Sequence, residues 1–183
     1  MARMQFLNKK KVKEIFSILD NQWDLKKGFE KKLDFVFLLN SKNKIYVINN
    51  EIVNVDFDAL RIDSMGMYFG ELKEGDTKSK EPKSRGAKNK EIRLSIEGSQ
   101  ILGEFARKNV IEISDGLMKL WIRGYDVEVK TKNSSGEKET KDESSLSAYV
   151  IVKNNNDFFG CGRLKEGNIL NHIPKSRRVR SVD

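Results

Sequence analysis

AYVIVKNNNDFFGCGRLKEGNILNHIPKSRRVRSVD, residues 148–183, carries more structural information than any other part of the chain. AYVIVK predicts a strand, Asn154-Asn155-Asn156-Asp157 a turn, and FFGCGRL a second strand folded back on the first as a hairpin. Gly160 and Gly162 are two apart and so share one side of that strand, where another backbone or a ligand can approach closely. The closing NHIPKSRRVR holds Lys175, Arg177, Arg178 and Arg180. Pro174 fixes its own backbone angle and biases the preceding residues toward an extended shape. With Ile169, Leu170 and Ile173 beside it, the segment is expected to dock on the body of the protein rather than fray.

Upstream, SIEGSQILGEFARKN predicts a helix with Ser95 as N-cap. Ile96, Ile101, Leu102 and Phe105 line one face, and Asn109 marks the end. VIEIS, LMKLWIRG and DVEV follow as short β-like segments, interrupted by Asp115-Gly116 and Gly124. Residues 130–147 carry four positive and four negative charges and no large apolar run, as expected of a long polar hairpin tip. From Val110 onward the pattern is roughly five or six short strands behind a helix, which suits a compact or partly open β-barrel.

The first part of the chain has a different texture. Residues 1–32 predict helix, with Val12, Ile15, Phe16 and Leu19 on one stripe, a break near Asp20-Asn21 and a second short helix through Trp23 to Lys32. DFVFLLN and KIYVINN, joined by Asn40-Ser41-Lys42-Asn43, predict a hairpin. EIVNVDFDALRIDSMGMYFGEL then holds one or two strands, or a short helix through Phe57–Leu60. Residues 73–91 have seven Lys/Arg against four Asp/Glu and read as a basic loop or linker. The expected division is therefore 1–92, a small α/β module with that linker, and 93–183, the β-rich part.

Net charge is +8 at pH 7 and the sequence pI is about 9.4, a balance that attracts polyanions such as RNA, DNA or acidic lipid. There is no run of 18 apolar residues to cross a membrane, and the N-terminus lacks a secretory pattern, so a cytoplasmic location is expected. Cys161 stands alone, so no internal disulfide forms, and with only one histidine the usual zinc sets are excluded. Cys161 is expected to be a small buried hydrophobe.

Signatures of catalysis are missing. No GxGxxG follows a strand and no GxxxxGK[ST] occurs, so no cofactor is implied. His172 has no local carboxylate to orient it, and a structural or RNA-contacting role outweighs that of a general base. A Cys161–His172 nucleophile–base pair would require the two to fold together, and Cys161 lies inside an apolar strand. The cationic finish is the more telling feature, because arginine binds phosphate in a two-donor fork. Asn171 and Ser176 can add directional hydrogen bonds. Trp121 and Tyr125 flank Arg123 and Gly124; Trp121 is expected in the core, while Tyr125 can stack on an unpaired base.

RLSIEGSQILG, LWIRGYDVEV and FFGCGRLKEGNILNHIPKSRRV resemble the C-terminal region of small archaeal proteins related to the Fmu/Sun-type RNA cytosine-5 methyltransferases. Residues from about 94 to 180 look like a PUA domain. NSKNKIYVINN through DSMGMYFGEL looks like the α/β module preceding it. The resemblance implies an α+β fold: a small N-terminal α/β module followed by a PUA-like pseudobarrel with capping helices. It also implies binding to structured rRNA or tRNA, in ribosome biogenesis or RNA modification. The enzymes' cofactor-binding domain and catalytic cysteine pair have no counterpart here, so methyl transfer is not carried over and no enzyme is expected.

An RNA-binding accessory protein is therefore the first expectation, with Arg163, Lys165, Asn171, Lys175, Ser176, Arg177 and Arg178 as contacts and Arg123 and Tyr125 as secondary ones. It requires the C-terminal stretch to be docked and its guanidinium groups to be free of acidic neighbours. A protein–protein adaptor in ribosome assembly, and an RNA-recognition subunit for a separately encoded RNA methyltransferase, are the rivals.

Overall fold

The computed structural model describes residues 4–55, 65–74, 90–129 and 149–180. The expected helix at Phe57–Leu60, the insertion at 130–147 and residues 75–89 of the basic stretch lie outside these. Among the described residues the strands form two five-stranded sheets.

The first sheet is an antiparallel meander, in the order β1 (Met4–Phe6), β2 (Phe35–Asn40), β3 (Lys44–Asn49), β4 (Met67–Glu74) and β5 (Lys90–Leu94). The β2–β3 hairpin is the one expected. The Asn40 carboxamide closes its turn by accepting from the Lys42 and Lys44 amides at 2.9 and 3.0 Å. Alternation along β3 buries Ile45 and Val47 and turns Lys44 and Tyr46 to the other face.

The N-terminus departs from the expected helical start. Met4–Phe6 pairs with β2, and α1 (Lys9–Trp23) starts only where the Asn8 side chain accepts from the Lys11 amide. Ile15 and Leu19 are buried and Val12 and Phe16 pack against them, as their spacing predicts. The expected break at Asp20-Asn21 is absent. The helix runs to Trp23 and ends at left-handed Asp24, with the Asp20 carboxylate taking the Leu25 amide at 2.9 Å. The second helix, α2, is shorter than expected (Phe29–Lys32).

Residues 73, 74, 90 and 91, expected to be linker, are strand residues: β4 and β5 pair from Gly70↔Leu94 to Glu74↔Lys90. Gln22 of α1 binds the open edge of β5, donating to the Ile92 carbonyl at 3.2 Å and accepting from its amide at 2.6 Å. The expected division between 92 and 93 falls within β5.

Helix α3 (Ile96–Gly103) is capped as predicted, with the Ser95 hydroxyl accepting from the Gly98 amide at 2.9 Å. It lies between β4 and β9 (Asp157–Lys165), and two glycines make that possible. A Cβ at Gly98 would fall 2.0 Å from the Phe69 carbonyl oxygen, and one at Gly103 2.4 Å from the Phe158 ring. Because α3 stops at Gly103, Asn109 does not end it. Asn109 instead takes a left-handed turn (φ 56°) into the strand that begins at Val110 and donates to the Gln22 carbonyl.

The second sheet runs β6 (Val110–Glu112), β8 (Tyr149–Asn154), β9 (Asp157–Lys165), β10 (Asn168–Asn171) and β7 (Val127–Glu128). β6 is parallel to β8 and the other pairs are antiparallel. Among the described residues β6 and β7 are the sheet's edges. LMKLWIRG, expected to be β-like, is helical instead: α4 spans Asp115–Ile122 after Ser114. Asp115-Gly116, expected to interrupt, opens that helix. Trp121 is fully buried, and its indole N–H donates to the Phe159 carbonyl at 2.7 Å.

In the β8–β9 hairpin the register shifts between Ile151↔Cys161 and Lys153↔Phe158, so Phe159 and Gly160 oppose Val152 alone. By strand alternation Phe158 packs against the larger core and Phe159 against the smaller. The close approach expected at the paired glycines is used by the protein itself: Ile169 and Trp121 fill the space beside Gly162.

The larger core joins Leu19, Trp23, Phe37, Phe69 and Ile92 to Tyr149, Ile151 and Cys161, so both sheets share one interior. Each fully buried large side chain there contributes about 1.5–3 kcal/mol. The smaller core gathers Ile113, Trp121, Val150, Val152, Ile169 and Ile173.

Candidate functional site

The C-terminal stretch is docked. Ile173 is buried in the smaller core, and the chain then turns through one 3-10 turn, Lys175–Arg177. Asn171 clamps the approach. Its Nδ2 donates to the carbonyls of Trp121 (2.7 Å) and Tyr125 (3.1 Å), and its Oδ1 accepts from the Ile173 amide at 2.8 Å. Asp126 takes the Asn171 amide at 2.7 Å. Beyond the turn, Arg178 Nε donates to the Ile173 carbonyl at 3.1 Å and the Val179 amide to the Ile122 carbonyl at 3.0 Å.

The residues expected to contact RNA therefore divide. Lys165, Lys175, Ser176, Arg123 and Tyr125 are exposed, Tyr125 to 60 %. The Asn171 carboxamide is engaged by its own chain, and the Arg178 guanidinium braces the tail. Arg177 Nη2 pairs with Glu97 Oε1 at 2.7 Å. Docking meets one requirement set by the sequence, whereas the acidic neighbour of Arg177 goes against the other. Arg163 projects from β9 with its guanidinium carbon 5.9 Å from the centre of the Tyr149 ring.

A second group was, apart from Arg163 and His172, not expected from the sequence. Lys44, Tyr46, Tyr68 and Arg93 share a face of the first sheet, and near Arg93 lie Arg163 of β9 and His172, just past β10, on either side of Tyr149, which is itself buried in the larger core. The Tyr46 and Tyr68 rings are 5.5 Å apart, and Lys44 Nζ lies 5.6 Å from the Tyr68 ring centre. Tyr149 and His172 are 6.0 Å apart. Period-two alternation in KIYVIN was the one available signal, since it puts Lys44 and Tyr46 opposite the buried Ile45 and Val47.

Charge on this face is balanced locally. Glu71 pairs with Arg93 at 2.5 Å and Lys73 at 2.7 Å. Burial opposes the Glu71 charge, but the Lys73 hydrogen bond and the two cations outweigh it, so its pKa lies below the ordinary 4.5. Burial raises the Tyr68 and Tyr149 pKa values, partly offset by Arg93 and, at Tyr149, by Arg163 as well. For His172, burial followed by the Arg93 and Arg163 charges lowers the pKa below 6.5, which favours neutral imidazole. Its Nε2 is buried without a hydrogen-bond partner among the described residues.

A cleft of about 310 Å³ opens between the two sheets at the start of α3. Tyr68, Arg93, Ser95, Glu97, His172 and Arg177 supply its polar lining, and Cys161 also reaches it. So Cys161 and His172 do come together around one space. The thiol is nonetheless buried and pushed up to about 12, and its Sγ faces the Gly162 carbonyl at 3.7 Å. It is a small core residue with almost no thiolate at neutral pH. Among the described residues no three His, Cys, Asp or Glu side chains are grouped to hold a metal ion, and no helix is long and apolar enough to cross a membrane.

Fold and site together define a mixed helix–strand protein that carries cations and aromatic rings around its second sheet. Residues 108–179, which make up that sheet with α4 and the docked turn, match the family model for the PUA domain of the RsmF methyltransferase. The match supports the PUA relation drawn from the sequence. No curated protein matches the chain.

Proposed function

We propose that the protein binds structured RNA, rRNA or tRNA, and has no chemistry of its own. The carrying observation is that the PUA-matched segment has a docked cationic turn and an exposed Arg123–Tyr125 pair, on a chain of net charge +8. Lys165, Lys175 and Arg123 would contact phosphates, Tyr125 would stack on a base, and Ser176, Arg163 and Arg177 would add contacts at the margins. Asn171 and Arg178 are positioning residues that hold the turn in place. The setting is ribosome biogenesis or RNA modification in the cytoplasm.

Salt dependence of RNA affinity tests the proposal. Engaging roughly four to six phosphates gives a log–log slope of about −3 to −5. A chain that fails to bind rRNA or tRNA fragments at low salt, or binds them with a flat slope, rules it out. A second reading is favoured by the matched model, which is named for a methyltransferase: the chain supplies RNA recognition to methyl transfer carried out elsewhere. Increased activity of an RNA methyltransferase when the chain is added would select it.

A further inference from the structure

Apart from Arg177, the residues lining the cleft between the sheets have no part in the contacts assigned above, and its construction fits one kind of occupant. At about 310 Å³ it stands at the small end of the ~300–1,000 Å³ range of ligand sites. It is far too narrow for a duplex and large enough for one base with its sugar. Met67, Ile96, Ile173 and Pro174 give apolar walls, and Tyr68 contributes an aromatic ring. Unpaired bases are held in such places by stacking and by hydrogen bonds to their edges.

Two further features point to a ligand. His172 Nε2 is buried with no partner among the described residues, although a buried polar atom left so costs about 1–3 kcal/mol. The atom is closed to solvent in this arrangement, so a base edge would satisfy it only as the imidazole turns toward the cleft on binding. In addition, the charges of Arg93, Arg163 and Lys73 reach that imidazole, opposed by Asp126, although Arg93 and Lys73 are themselves paired with Glu71. Arg177 stands at the same cleft, held by Glu97. A phosphate entering here would compete with Glu71 for Arg93 and with Glu97 for Arg177, the more exposed of the two pairs.

We propose that the cleft takes a single unstacked nucleotide of the bound RNA, with its base between Tyr68 and the Ile96–Ile173 wall and its phosphate toward Arg93 and Arg177. This rests on the RNA-binding reading above and adds the site at which one residue of the strand is gripped. Arg177 would exchange Glu97 for the phosphate as the nucleotide enters.

The lone histidine makes the test direct, because the full chain has a single imidazole Hε1 resonance. Adenosine, cytidine, guanosine and uridine 5′-monophosphates are titrated separately, with inorganic phosphate as a further arm. The expected result is a saturable shift of the His172 signal by at least one nucleotide, much larger than that by phosphate. An equal shift with inorganic phosphate overturns the nucleotide assignment, as does an unmoved signal with all four. In parallel, His172→Gln is expected to weaken binding to RNA with unpaired residues by about 5- to 10-fold and leave a plain duplex unaffected, with its melting temperature confirming the fold. If wild-type protein binds RNA with a steep salt slope while the His172 signal stays silent and His172→Gln binds normally, the cleft proposal falls and RNA binding stands. If wild-type protein binds no RNA, the broader proposal falls first.

Discussion

The guanidinium end of Arg178 occupies the space a side chain would take at Gly124: a Cβ built there would lie 2.3 Å from Arg178 Nε. Gly124 also has φ +93°, a conformation other residues rarely adopt. Gly124→Ala is therefore expected to cost about 1–3 kcal/mol from backbone strain and overpacking together. Urea unfolding of Gly124→Ala, Arg178→Ala and the double variant separates the two. Truncating Arg178 removes the collision, so the double variant should be clearly more stable than the sum of the single losses. Strict additivity would show that the two residues do not press on each other.

Asn171→Ala removes three hydrogen bonds that tie β10, the end of α4 and Ile173 together. At about 0.5–1.5 kcal/mol each, the expected loss is roughly 2–4 kcal/mol, toward the lower end because the site is only half-buried. Below its melting temperature the variant should keep the wild-type salt slope for RNA, since no charge is lost. A full-stability Asn171→Ala with weakened RNA binding would instead return Asn171 to the contact surface.

Asn171 and α4 also show what the sequence conveys and what it hides. The β2–β3 and β8–β9 hairpins were legible because period-two alternation and Asn-rich turns are local signals. LMKLWI was not, because a short apolar run fits a strand or a buried helix turn equally well; Ser114 and Asp115, a helix-start pair, were the cue. The basic tail was legible as charge, but its division into exposed Lys175, paired Arg177 and bracing Arg178 was not. That division depends on Glu97 and Gly124, which are distant in sequence. Lys44, Tyr68, Arg93, Tyr149 and His172 come from five separate segments, and only the order of strands in two sheets makes them neighbours.

His172 gives stability a pH dependence of known sign. Its folded pKa lies below the ordinary 6.5, so the unfolded chain binds the proton more readily. The full contribution is present above 6.5 and is lost as the pH falls from there through the lowered value. Glu71 acts in a lower window. Its depressed pKa gives stability above 4.5 that is lost on further acidification. Melting temperatures from pH 8 to 3 should fall in two stages, and His172→Gln should remove the first alone. A wild-type curve flat from above 6.5 down to 4.5 would contradict the burial and charge assigned to the imidazole.

Glu97 restrains a cation on the proposed RNA face, and its removal has two competing outcomes. The Arg177 side chain is 55 % exposed and that of Glu97 25 %, so the pair adds only about 0–1 kcal/mol to stability after solvent screening. Glu97→Gln keeps the shape, deletes one negative charge and releases Arg177. If Arg177 meets phosphate, RNA affinity should rise about 2- to 5-fold and the salt slope should steepen by somewhat less than one phosphate. If Arg177 serves only to clasp the turn to α3, the variant should instead melt earlier, with unchanged affinity. The double variant Glu97→Gln/Arg177→Ala decides between them: loss of the gain places the extra contact on Arg177, whereas retention would attribute it to the weaker negative field at the start of α3.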